Sequence, residues 1–133
     1  MKKSELLKFE ICLYAEFKEN SFPLVNIYFD EELIIKKEIK ENYKSFSLIF
    51  EKDCLFKNHK IKIDHKENLN NNYIRIENII INSFPTKKYL NNYGMILQKN
   101  KILEVKDKTF LRPDNSYEFK FESPYAYYFL NHI

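Results

Sequence analysis

The chain is expected to fold as an all-β protein, an antiparallel β-sandwich of about seven or eight short strands. Three observations point there: apolar residues recur with period two along most of its length, polar turn signals divide these runs, and no segment holds a 3.6-residue period. The period is clearest from Leu7 to Phe17, where Leu7, Phe9, Ile11, Leu13, Ala15 and Phe17 alternate with Lys8, Glu10, Cys12, Tyr14 and Glu16. Successive side chains of a strand point to opposite faces, so this is a half-buried strand eleven residues long. Further strands are read at Val25-Ile27-Phe29, Phe46-Leu48-Phe50, Ile61-Ile63, Ile74-Ile76 and Tyr117-Phe119-Phe121. Leu33, Ile34 and Ile35 follow a "FDEE" turn and form a short β-favouring run. Turns are expected at Asn20-Ser21, Asp30-Glu31, Glu41-Asn42, Lys57-Asn58, Asn68 to Asn72 and Asp114-Asn115. Tight hairpins favour glycine at positive φ, yet the chain has one glycine; fifteen asparagines are available to take that role.

At 133 residues the chain is read as one domain, spanning 1–133 with its core between about 7 and 130. Twelve Phe and ten Tyr supply enough apolar area to offset chain entropy. The composition also carries a coding bias: twenty Lys against two Arg, abundant Asn and Ile, two Ala and no Trp are what AT-rich codons produce. The net charge of +3 is therefore discounted. Lys and Glu alternate in "EELIIKKEIKENYK", with no basic arm, so nucleic acid is not an expected partner. Ser4, Glu5, Lys8 and Glu10 interrupt any signal-peptide core, and no apolar run approaches the length of a membrane span. Synthesis and retention in a cytoplasm are expected, with Cys12 and Cys54 as thiols instead of a bridge.

No motif argues for catalysis. A lone glycine, Gly94, leaves no phosphate loop, dinucleotide fingerprint or nucleophile elbow, and HExxH is absent. His59 and His65 lie on one strand face but roughly 20 Å apart, too far to share a metal. His132 stands alone in the tail. Asn oxygens in "NLNNNY" near Asp64 and Glu67 are Ca²⁺-type donors, but the regular carboxylates of a calcium loop are missing, and a hairpin loop is the favoured reading. No cofactor and no enzymatic activity are expected. The tyrosines Tyr73, Tyr89, Tyr93, Tyr125 and Tyr127 are the candidate ligand or interface residues. They are read either as an exposed platform for sugar rings or partner side chains, or as packing for the end of the sandwich in place of Trp, the second being favoured.

"HKIKIDHKEN" followed by "YIRIENIIINSFP" resembles small jelly-roll domains of the carbohydrate-binding-module type, among them calcium-dependent xylan-binding modules with an H-x-I-x-I strand and an I-x-I-N-G turn. Ser83 stands where those modules have Gly, and their calcium ligands have no counterpart that can be placed. The same pair, with "YEFKFESPYAYYFL" and its F-x-S-P segment, also resembles small uncharacterised proteins of large tailed bacteriophages. The resemblances imply a jelly roll and, in the phage setting, a non-enzymatic virion structural protein, a capsid decoration or tail accessory. Its partners would be other virion proteins in many symmetric copies. The alternative is a module recognising a host glycan through surface tyrosines.

Overall fold

The computed structural model describes residues 3–18, 21–66 and 72–132, with the backbone alone for 131 and 132. Among these residues eleven strands form two antiparallel sheets packed as a sandwich. The strands are β1 (Ser4–Glu16), β2 (Leu24–Phe29), β3 (Glu32–Glu38), β4 (Lys44–Leu55), β5 (Asn58–His65), β6 (Tyr73–Ile81), β7 (Phe84–Pro85), β8 (Gly94–Gln98), β9 (Lys101–Leu103), β10 (Phe110–Leu111) and β11 (Asn115–Glu122). One sheet runs β10-β6-β1-β4, with β7 also on β6; the other runs β3-β2-β5-β11-β8-β9. Short helices α1 (Leu90–Tyr93) and α2 (Tyr125–His132) complete the fold. Of the expected turns, Asn20 and the Asn68–Asn71 cluster lie outside the described residues.

The seven strands expected from the alternation are present, and four more, β7 to β10, are too short to show a period. α2 departs from the expectation that no segment is helical. Pro124 ends β11 and precedes the helix, where a missing N–H costs nothing. The Glu5 carboxylate of β1 accepts the Tyr125 amide at 2.7 Å and the Ser123 hydroxyl, capping the new helix from the facing strand.

Period two does most of the positioning. Leu7, Phe9, Ile11, Leu13 and Ala15 of β1 are wholly buried, between β4 on one side and β6 on the other. In β6 the phase changes once. Cys12 pairs Asn78 and Leu13 pairs Ile76, so Glu77 is an extra residue. This bulge lets Ile74 and Ile76 before it, and Ile79 and Ile81 after it, all face the core. Three two-residue hairpin loops, Asp30-Glu31, Asn82-Ser83 and Lys99-Asn100, take positive φ at both positions without glycine. Ser83, in place of the glycine of the xylan-binding modules, sits at φ 69. Asn82 holds that turn to β1, accepting the Lys8 amide at 2.7 Å and donating its own amide to the Lys8 carbonyl at 2.9 Å.

Gly94 answers a different need. Its φ of −106 is open to any residue, but a Cβ there would lie 2.2 Å from the Tyr117 hydroxyl and 2.3 Å from its ring. Tyr117 lies flat over the glycine and donates to the Leu90 carbonyl at 2.8 Å. The Cys54 thiol is buried and the Cys12 thiol half-buried, and both are free.

His59 belongs to the core. Its Nδ1 is 2.6 Å from Asp30 Oδ2, its Nε2 is 2.7 Å from the Leu55 carbonyl, and its ring lies against Phe29 and Phe121. Each ring nitrogen thus faces an oxygen. Asp30 also accepts the Lys60 amide at 2.8 Å, which ties the β2–β3 turn to β5. His65, at the other end of β5, is buried against the Leu111 carbonyl at 3.1 Å.

Replacing Gly94 by Ala is expected to cost about 2 kcal/mol, read as a lower urea midpoint with unchanged m-value, because Tyr117 has to leave its place. His59→Leu is expected to cost about 2 kcal/mol in the same measurement, by removing the buried contacts of the ring with Asp30 Oδ2 and the Leu55 carbonyl. Stability should also fall as pH rises above about 9. Burial, with the Glu5, Asp30 and Asp53 carboxylates adding to it, pushes the Cys54 thiol from 9.0 up to about 12. Burial likewise raises the Tyr117 and Tyr125 phenols above their ordinary 10.0. The folded chain keeps these protons while the unfolded chain releases them, so the stabilisation is complete below pH 9 and is lost above it. Urea titrations at pH 8, 9.5 and 10.5 check this; a flat profile would contradict it.

Candidate functional site

The five candidate tyrosines do not form one platform. Tyr73, at the start of β6, lies against Phe110 at 4.3 Å between ring centroids and hydrogen-bonds Glu16. Tyr89, Tyr93 and Tyr125 gather near the other end of β1 with Phe119, Tyr128 and Phe129, around a gap of only about 10 Å³. A gap that size does not hold a sugar. Tyr125 is 2% exposed, in contact with Phe84, Phe121, Tyr128 and Phe129, so its ring is not available to a ligand. Tyr127 alone projects fully into solvent, from α2.

A different arrangement forms on the outer face of the second sheet. Because Val25, Ile27, Ile61, Ile63 and Tyr117 face the core, the residues between them face outward. Pairing of β2, β5 and β11 then sets Asn26, Asp64 and Ser116 in one cross-strand row, and Tyr28, Lys62 and Glu118 in the next. Two adjoining clefts of about 310 and 390 Å³ open over these rows, and Lys62, Asp64 and Lys66 line both.

Asp64 is the floor of the site, its side chain 4% exposed. It accepts the Ser116 hydroxyl and lies 3.4 Å from the Lys66 ammonium and 3.9 Å from that of Lys62. A carboxylate this deep is tolerated because its lone pairs are met by a hydroxyl and two cations. Lys62 Nζ also sits 5.8 Å from the Tyr28 ring centroid. Lys60 reaches Glu118 at 3.4 Å and Glu31 at 4.0 Å. Beside Asp64, the Asn26 side chain is nearly buried, and its Oδ1 has no hydrogen-bond partner. Buried amide oxygens are nearly always satisfied, and this one, closed off by the surrounding chain, is an exception.

The surface thus combines one aromatic face with ammonium N–H groups that a single carboxylate does not exhaust. Sequence reasoning missed Asn26 and Tyr28, and read Asp64 only as a neighbour of the Asn loop. A signal was present: Tyr28 occupies the polar phase of "LVNIYF", where an aromatic residue serves no core.

No family model matches the chain, and no curated protein matches it. Two solved structures do resemble it. One, vCBM60 in complex with galactobiose, is 8% identical with a TM-score of 0.59, over 84% of this chain and 96% of that one. The other is the selenomethionine form of vCBM60, described within two families of calcium-dependent carbohydrate binding modules linked by circular permutation; it is 8% identical with a TM-score of 0.57, over 85% and 89% of the two chains. Neither neighbour is a phage protein by name. Among the described residues no three His, Cys, Asp or Glu side chains converge as a metal site. Asp64 is committed to a hydroxyl and two ammonium groups, so the described residues do not fit a calcium ion. The loop at 67–71, with Glu67 and its asparagines, lies outside them. The chain has the all-β sandwich fold seen in these carbohydrate-binding modules.

Proposed function

We propose that the protein is a non-catalytic carbohydrate-binding module that holds a glycan on the outer face of its second sheet. The observation that carries this is the meeting of the Tyr28 ring with the Lys62 and Lys66 ammonium groups over shallow clefts. A sugar ring offers an apolar C–H face to an aromatic side chain and hydroxyls that both donate and accept, and a site needs both features to hold it. The fold shared with vCBM60, one form of which holds galactobiose, supports the class and makes galactose-containing oligosaccharides natural first probes. In this reading the tyrosines at the end of the sandwich are packing.

A second reading, the virion structural protein of the phage resemblance, draws on Tyr127 and Leu130. Both are exposed and three residues apart on α2, so they share a helix face that a neighbouring protein would cover.

A glycan array followed by calorimetry on the best hit tests the first reading. Tyr28→Ala is expected to lower affinity about tenfold with an unchanged circular dichroism spectrum. Binding that survives Tyr28→Ala and is lost in Tyr127→Ala would place the ligand on α2. A protein that binds no glycan and self-associates until Tyr127→Ser is introduced would favour the second reading.

A further inference from the structure

We infer that the glycan this surface takes is acidic, carrying carboxylate or sulfate groups that lie against Lys62 and Lys66. The inference rests on the glycan-binding reading and specifies its ligand class. The clefts over Asp64 are lined by Lys60, Lys62, Lys66 and Lys99 against Glu31, Asp64 and Asp114. The balance is positive, and the distribution matters more than the sum. Asp64 is buried and already shared by two cations and a hydroxyl, so it presents almost no negative charge to a ligand above it. Glu31, at the turn, is 85% exposed and separated from Lys60 by 4.0 Å, an ion pair that water screens.

The lysines differ from the acids in what they have left to offer. An ammonium carries three N–H bonds, and one carboxylate between two ammonium groups cannot accept them all. Lys66 is half exposed, so its remaining hydrogens face the cleft. Water satisfies them when the site is empty; an anionic oxygen makes shorter and stronger charge-assisted bonds. A neutral sugar would gain only hydroxyl contacts at the same cost in displaced water. Tyr28 then supports the apolar side.

The test is calorimetry with three oligomers of equal length: an oligogalacturonate, its carboxyl-reduced neutral form, and a sulfated galactan. At low salt one acidic oligomer is expected to bind about tenfold tighter than the neutral form, with the advantage shrinking at 0.3 M salt as ionic contacts are screened. Lys66→Gln should erase most of that advantage, and Lys66→Arg, which keeps the charge over Asp64, should retain it. The two acidic arms tell carboxylate from sulfate. Equal affinity for the acidic and neutral oligomers, or an advantage untouched by Lys66→Gln in a folded variant, would overturn the inference and leave glycan binding standing. No binding to these oligomers together with a blank glycan array would overturn both.

Discussion

Phe9 joins the two sheets, and the placement of the candidate surface depends on that junction. Its ring stacks on Phe50 of its own sheet at 4.8 Å and meets Phe29 and Phe121 of the facing sheet at 5.5 and 5.8 Å. Phe29 and Phe121 in turn flank His59, whose two hydrogen bonds hold the turns at either end of the cluster. Aromatic pairs at these separations add geometric preference to area burial, so they specify registration as well as stability. Once Phe29, His59 and Phe121 point inward, the phases of β2, β5 and β11 have no remaining freedom, because a one-residue slip would turn every side chain over.

The outer surface follows from this. With Ile61 and Ile63 buried, Lys60, Lys62 and Asp64 must face the other way. With Val25 and Ile27 buried, so must Asn26 and Tyr28. The antiparallel registers then bring residues separated by 38 and 52 positions in sequence into one row, Asn26 beside Asp64 and Asp64 beside Ser116. Three core strands that each satisfy period two are enough to assemble a polar surface whose members are scattered along the chain.

That explains how much was legible beforehand. The strands with five or more alternating positions, β1 above all, were readable because burial and alternation are properties of a single segment. The Glu77 bulge was hidden, since "YIRIENIIIN" reads equally well in either phase of its isoleucines and only pairing with β1 tells which residue is extra. The helix after Pro124 was hidden because one short aromatic run has no clear period and its capping carboxylate, Glu5, lies 120 positions away. The surroundings of the tyrosines were hidden for a related reason. Aromatic residues are equally suited to a core and to a ligand platform, and composition cannot tell which face of the fold they join. Tyr125 went inside and Tyr28 went outside, and strand phase marked only the second.

The same surface accounts for how a chain with a carbohydrate-module fold can hold a buried carboxylate without a metal among its described residues. A buried carboxylate needs compensating positive charge wherever it sits, and a bound cation or a pair of ammonium groups can supply it. At Asp64 the chain uses Lys62 and Lys66, within 3.9 and 3.4 Å, with the Ser116 hydroxyl completing the set. The two kinds of compensation differ in character. A metal ion presents vacant coordination positions with defined directions, which suits vicinal hydroxyl oxygens. Ammonium groups present mobile hydrogens on flexible stems, which suit a charged oxygen more than a neutral one.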